Sequence, residues 1–385
     1  MKQWHLLFAV LLALLSGSCR NDPPPGETDP SGLPPRETDY DLSPVKWGYI
    51  NQLGEWAIKP RFDDCRNFRE EMAVVRIGGR WGYINNKGKM VIPTDYEAAW
   101  DFSGGLGRVK VFGQGMGFVS PRGQMVIPAI WESAGDFSSG MARIQCGEFW
   151  GYINTLGDVV IPCQFDRAGD YRFGRAVVRQ ATKWGIIDLK GGWIVPPIYD
   201  KLGEYADGMV MAKKDGLHGF LDHKGQEAIP FVYEHVRPFA GGLAPVELDG
   251  KWGLIDKEGA TALEPQYDNI IYGGPNRWIV SQDGLFGLID SRGELIGEIE
   301  YEQLYEFSEG LAPYQKDQLW GYLDTLGIPV TPAQFGLVWA FREGLARAGF
   351  YEGVGFIDKN GQAAILPRFL DVRDFSEGLA RAQER

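Results

Sequence analysis

Lys46-Trp47-Gly48-Tyr49-Ile50-Asn51 is the phrase that decides the architecture of this chain. It returns with its glycine at Gly48, Gly82, Gly117, Gly151, Gly185, Gly219, Gly253, Gly287, Gly321 and Gly355, eight times at a spacing of 34 residues and once at 35. Self-similarity at a fixed period of this size marks a repeat architecture. Tryptophan precedes the glycine in six units, as Trp47, Trp81, Trp150, Trp184, Trp252 and Trp320; Met116, His218, Phe286 and Val354 precede it in the others.

Working outward from the anchor glycine, an Asn, Asp or Ser stands three residues on and a second glycine three further, as in Asn51 and Gly54 or Asp188 and Gly191. A short polar side chain can bond its own backbone, and glycine supplies the left-handed position, so the spacing predicts a tight hairpin loop. A second apolar run follows, such as Val159-Val160-Ile161-Pro162. Its proline, present in nine units and missing from the eighth, must end the strand or lie at an edge. Fourteen residues past every anchor comes an aromatic: Phe62, Tyr96, Trp131, Phe165, Tyr199, Tyr233, Tyr267, Tyr301, Phe335 and Phe369. An acid follows it in eight units, and a further aromatic comes six residues later in nine. A turn phrase such as Ser308-Glu309-Gly310-Leu311-Ala312 and a third short strand then lead into the next unit.

Each unit therefore reads as an antiparallel meander of about three strands, with no helical periodicity sustained over three turns. In the first strand Trp47 and Tyr49 face one way, and Gly48 and Ile50 the other. Both faces are apolar, so both are expected to be covered, and the anchor glycine is expected to be closely approached. One such meander is too small to fold alone; stacked neighbours can bury its faces. The expected fold is all-β, a tandem array of ten meanders in an open superhelical or solenoid-like stack. A closed β-propeller is the alternative, since ten blades exceed the usual number. The array opens on a Trp-Gly strand and ends on Gly378-Leu379-Ala380-Arg381-Ala382, the strand that would precede it. That phase fits closure, but also a unit that simply begins at Trp-Gly.

These residues resemble the WG-repeat, or KWG-repeat, family of bacteria, and the resemblance runs from residue 45 to residue 385. It implies a β-rich repeat array and brings no common enzymatic activity, catalytic residue or cofactor. Residues 269–277, with Gly273-Gly274-Pro275, depart from the pattern by losing the second aromatic and the Gly-Leu-Ala phrase. They are the expected hinge or functional bulge.

The start of the chain reads as an address. Residues 1–18 have a basic start at Lys2, an apolar core over residues 6–15 and small residues Ser16-Gly17-Ser18, the pattern of a secretory signal too short to span a membrane. Cys19 stands where a bacterial lipoprotein carries its acylated cysteine, although Ser16 replaces the usual leucine; plain secretion is the alternative. Residues 19–44, with Pro23-Pro24-Pro25 and Pro34-Pro35, read as an extended, disordered tether. Residues 45–385 form the repeat domain. With 39 basic against 51 acidic residues and no basic stripe, the chain is a poor partner for nucleic acid or anionic lipid. Membrane attachment is expected through the N-terminal lipid alone, at the bacterial envelope, and the protein is expected to be monomeric.

No catalytic residue, cofactor or metal is expected. His218, His223 and His235 cluster in sequence, but His218 and His223 are about 16 Å apart along a strand, too far to share an ion. Cys146 and Cys163 fall on the two strands flanking a central one, so no disulfide is expected between them. The aromatic–acid pairs could be sugar-binding platforms, or core plugs whose acids cap turns; their recurrence favours the second. There is no nucleophile elbow or phosphate-binding glycine loop. The expected function is a non-catalytic, envelope-anchored binding or scaffold protein that engages a protein partner or cell-wall material. Carbohydrate binding through exposed aromatics is the runner-up, and an enzyme the minor alternative.

Overall fold

The computed structural model describes residues 45–384, which are built almost entirely from β-strands grouped into ten sheets, nine of four strands and one of three. Cys19 and the signal and tether segments lie outside the described residues. One sheet shows the plan: Asp64–Cys65, Met72–Ile77, Arg80–Asn85 and Met90–Tyr96 lie side by side in chain order, each antiparallel to the next. The third strand carries the anchor Gly82. The first strand, Asp64–Cys65, comes from the preceding unit, so a sheet straddles two sequence repeats. That fourth strand was missing from the expected three-strand meander. Numbered by the anchor they hold, the sheets run from blade 1, with Gly48, to blade 10, with Gly355.

Blade 1 decides the architecture. Its strand order is Trp56–Phe62, Trp47–Ile50, Leu379–Glu384, Phe369–Ser376, so two strands come from each end of the described chain. Trp47 pairs with Gln383 and Ile50 with Ala380. The open stack is therefore corrected: the ten blades close into a ring, a β-propeller. The physical reason is the edge that an open array would expose. All four residues of Trp47–Ile50 are buried, and an unpaired edge on such a strand would leave buried backbone groups without partners. The ring begins on a third strand and ends on a second, so each end supplies the neighbour that the other lacks.

Hydrophobic cores lie between blades rather than within them. One cluster joins Trp47, Tyr49 and Phe62 of blade 1 to Phe68, Ala73 and Val75 of blade 2. Polar ties cross the same seams. Buried tyrosine hydroxyls donate to a carbonyl of the next blade: Tyr49 to Arg66 at 2.8 Å, Tyr83 to Trp100 at 2.8 Å, Tyr152 to Gly169 at 2.8 Å and Tyr322 to Trp339 at 2.7 Å. Arg108 reaches Asp136 and the Ala134 carbonyl, both at 2.8 Å, and Arg347 reaches Asp374 at 2.5 Å. Between blades 1 and 2, Arg381 binds the Cys65 carbonyl and, at 2.9 Å, the Asn67 side chain.

The Ser-Glu-Gly-Leu-Ala phrase makes the tight turn between first and second strands. Glu309 and Gly310 both have positive φ, 53° and 87°, as a two-residue hairpin of this twist requires. Its acid also links blades. Glu309 accepts the Gly344 N–H at 3.0 Å, Glu343 that of Gly378 at 2.9 Å, Glu377 that of Glu71 at 3.0 Å, and Glu70 those of Gly104 and Gly105 at 2.9 Å. The chain of carboxylates runs across the closing blade without a break.

The anchor glycine answers to its own sheet. A Cβ on Gly151 would sit 2.5 Å from the Ile161 oxygen and 2.7 Å from the Cys163 nitrogen, both backbone atoms of the fourth strand. Between the pairs Trp150–Phe165 and Tyr152–Ile161 the fourth strand is bulged, and the bulge lies over the glycine. This corrects the reading of the cysteines. Cys163 is in that bulge and crosses the bare anchor to reach Cys146, forming a disulfide with a Cα–Cα distance of 6.0 Å. The flat-strand spacing used to exclude the bond does not apply where the outer strand climbs over the central one.

Residues 269–277 are no hinge. Asn269–Gly274 and Arg277–Gln282 form a paired hairpin of blade 8, and Tyr272 stands edge-on to the buried Trp278 at 5.2 Å between ring centres. The Phe307 N–H bonds the Gly273 carbonyl at 2.6 Å, tying the hairpin to the next blade. Trp278 takes the space that the missing aromatic leaves.

Candidate functional site

The six expected tryptophan anchors stand on third strands, each opposite the aromatic fourteen residues past its glycine: Trp47 with Phe62, Trp81 with Tyr96, Trp150 with Phe165, Trp184 with Tyr199, Trp252 with Tyr267 and Trp320 with Phe335. Their glycines Gly48, Gly82, Gly151, Gly185, Gly253 and Gly321 all lie under a fourth strand. Arginines lie over several of the indoles, Arg237 over Trp252 at 4.3 Å and Arg143 over Trp150 at 5.5 Å. These residues hold the blades together.

In several units the acid after the aromatic caps a turn. Asp63 accepts the Gly78 N–H at 2.6 Å, Asp268 that of Asp283 at 2.8 Å and Glu302 that of Gln318 at 3.0 Å. The lysine before the Trp-Gly pair closes the clasp: Lys46 on Asp63, Lys183 on Asp200 at 2.5 Å, Lys251 on Asp268 at 2.6 Å. These lysine hydrogen bonds hold Asp200 and Asp268 below the usual carboxylate range. Eight of the ten aromatics are buried, and Tyr96 and Trp131 are half-buried. They present no row of exposed rings, so the sugar-stacking platform on which the carbohydrate reading depended is not there.

In the histidine group, the rings of His218 and His235 stack at 5.6 Å. Nδ1 of His218 donates to the Glu234 carbonyl at 2.7 Å, and Nδ1 of His235 meets Glu247 at 2.6 Å. His223 offers its backbone carbonyl to Arg175. Among the described residues no group of three or more His, Cys, Asp or Glu is placed to hold a metal ion.

The place that stands out is the one where the repeat pattern fails twice. In unit 9 the capping acid is replaced by Gly336, so the clasp is absent. In blades 1 and 5 a fourth-strand tryptophan covers the preceding unit's aromatic: Trp56 stands edge-on to Phe369 at 5.3 Å and Trp193 to Phe165 at 5.9 Å. The residue at the equivalent position of unit 10 is Ala363. The result is a cleft of about 680 Å³ between blades 9 and 10, lined by Gln334, Phe335, Leu337, Gly349, Phe350 and Tyr351 among others. Phe350 stands edge-on to Phe335 at 6.3 Å, Leu337 is about half exposed, and Tyr351 is fully exposed at the mouth. The first strand of blade 10 shrinks here to the bridge Val338–Ala348, supported by a Gly349-to-Leu337 bond of 2.7 Å. The sequence reading missed this site. Its only signals were two small residues, Gly336 and Ala363, whose meaning depends on knowing which side chains meet across a seam.

A profile of the WG-containing repeat matches ten stretches of the chain: residues 47–81, 81–111, 116–148, 150–183, 184–217, 219–252, 252–273, 286–320, 320–349 and 355–385. The chain belongs to the WG-repeat family. No match to a curated protein was found. Among solved structures, the WG-repeat ring is similar to a eukaryotic initiation factor at 9% identity and a TM-score of 0.46, covering 74% of this chain and 94% of the other. It is also similar to the computationally designed Ika8 protein, at 13% identity and a TM-score of 0.35, covering 70% and 94%. BamB from Moraxella catarrhalis gives 9% identity and a TM-score of 0.33, covering 83% and 95%. At these scores the ring closure of this WG-repeat protein rests on its own strand order.

Proposed function

We propose that this WG-repeat protein is a non-catalytic binding or scaffold protein of the bacterial envelope, held to the membrane by a lipid on Cys19. It engages a protein partner or cell-wall material through the surface of the ring. One observation carries this reading: the recurring carboxylates and lysines serve as caps and seams, while one aromatic cleft is left open. An open, partly apolar cleft on an otherwise self-satisfied scaffold is a docking feature. The acids have structural duties that need no catalysis, and a catalytic site would require unique converging groups.

The test is alanine substitution of each acid and histidine, assayed by an envelope phenotype with circular dichroism as folding control. Graded losses are expected. A single folded variant with complete loss of activity would instead point to an enzyme. Fatty-acid labelling of wild type and Cys19→Ala tests the anchor; equal label on both would remove it from the proposal.

A further inference from the structure

Other seams of the ring show what the cleft between blades 9 and 10 is shaped to hold. The residue that opens the fourth strand can reach the aromatic fourteen residues past the preceding anchor. Trp56 meets Phe369 and Trp193 meets Phe165, both edge-on, at 5.3 and 5.9 Å, and Met90 joins the cluster that contains Phe62. Ala363, which opens its strand in blade 10, is the smallest of the ten residues at this position. Nearby Gly361 lines the cleft, and a Cβ there would lie 4.0 Å from Cζ of Phe335. The space that an indole fills at two seams is left open at this one. We propose that the cleft binds a neutral, indole-sized aromatic ring, set against Phe335 as Trp56 is set against Phe369. This rests on the reading of the cleft as a binding site and names the chemistry that it takes.

The walls suit such a ring. Phe350 stands edge-on to Phe335 at 6.3 Å, so an inserted ring meets two aromatic partners, and Tyr351 at the mouth offers a third. Gly336 keeps the space clear: a Cβ there would meet nothing within 4 Å. The lining includes the Gln334 amide and the Tyr351 hydroxyl but no charged side chain. A charged ligand would lose hydration there without gaining a counter-ion, whereas a neutral ring gives up little and buries apolar surface.

A buried indole N–H or phenol O–H also needs a hydrogen-bond partner. The backbone supplies one. In seven units the residue after the aromatic donates its N–H to a carbonyl of the following second strand, as Asp63 does to Arg76 and Asp268 to Ser281, both at 2.9 Å. Among the described residues Gly336 makes no such bond to Gly349. Both glycines line the cleft, so the Gly349 carbonyl is left as an acceptor and the Gly336 N–H as a donor. The loss of the repeat pattern at this seam thus provides both the room for a ring and the polar groups to orient it.

The test is a fluorine NMR titration of the full chain with two probes, fluoroindole and N-acetyl-fluorotryptophan amide. Saturable binding of fluoroindole is expected. Ala363→Trp places in the cleft the side chain that blade 1 carries at the same position, so it should abolish binding while leaving the melting temperature no lower than wild type. Tyr351→Ala, a surface change that removes one ring contact, should weaken binding by roughly three- to tenfold. Binding of both probes supports a ring carried on a partner's side chain, and binding of fluoroindole alone supports a free aromatic compound. No saturable binding of either probe to the folded protein overturns the proposal, as does equal affinity in wild type and Ala363→Trp. If Ala363→Trp erases the envelope phenotype while neither probe binds, the aromatic ligand is overturned and the binding role of the cleft stands.

Discussion

Gly151→Ala is the sharpest probe of the architecture. The new Cβ would sit 2.5 Å from the Ile161 oxygen, 2.7 Å from the Cys163 nitrogen and 2.8 Å from the Pro162 carbonyl carbon. All three are backbone atoms, so no side chain can rotate out of the way and the bulged fourth strand must lift. Overpacking of this kind costs about 1–3 kcal/mol, and the backbone displacement puts this site at the upper end. At roughly 2 cal/mol/K per residue over the 340 described residues, the unfolding entropy is about 0.7 kcal/mol/K, so ~3 kcal/mol lowers Tm by ~4 °C. Gly140→Ala is the matched control. A Cβ there meets nothing within 4 Å, and the only penalty is its φ of +77°, about 1 kcal/mol or somewhat more. Differential scanning calorimetry on the two variants compares a blocked space with a strained backbone. A Gly151→Ala protein melting within 1 °C or so of wild type, or no lower than Gly140→Ala, would show that the fourth strand does not close over the anchor.

Two further outcomes are expected. The Cys146–Cys163 bond closes a loop with a sequence separation of 17, for which chain entropy gives ~3 kcal/mol, so Cys146→Ala should lower Tm by a few degrees. Of Cys65, Cys146 and Cys163, only Cys65 should be alkylated in denaturant without reductant. Acid should also weaken the ring. Lysine hydrogen bonds depress Asp200 and Asp268, so their contribution is complete above the ordinary carboxylate pKa of about 4 and is lost as pH falls through the lower folded values. Tm should stay level down to about pH 4 and then fall, and Asp268→Asn should flatten that fall; an acid limb of unchanged slope would assign it to other groups.

Most of the blade was legible in the sequence because its determinants are local. Asn51 and Gly54 announce their turn, Trp47 and Tyr49 announce a two-sided strand, and the aromatic–acid pairs could be read as plugs and caps before any partner was known. What escaped depends on contacts between units. Both an open and a closed arrangement are compatible with an array whose first strand starts at Trp47 and whose last starts at Leu379; the pairing of Trp47 with Gln383 chooses between them. The Cys146–Cys163 bond was excluded on flat-strand geometry, and the bulge over Gly151 that permits it has no residue signature of its own. The cleft is written as two absences, Gly336 and Ala363, and an absence means something only once the side chain it omits has been seen at work in Asp63 or Trp56.

The closing blade also has a mechanical consequence. Any pull on the segment that precedes the ring enters at Val45 and passes directly into Trp47–Ile50. That strand is flanked on one side by Trp56–Phe62 and on the other by Leu379–Glu384. Tension along it shears two ladders at once, so their hydrogen bonds resist together instead of peeling apart one by one. The residue pairs that close the ring are thus the ones that would bear such a strain, and withdrawing that single strand would open the circle.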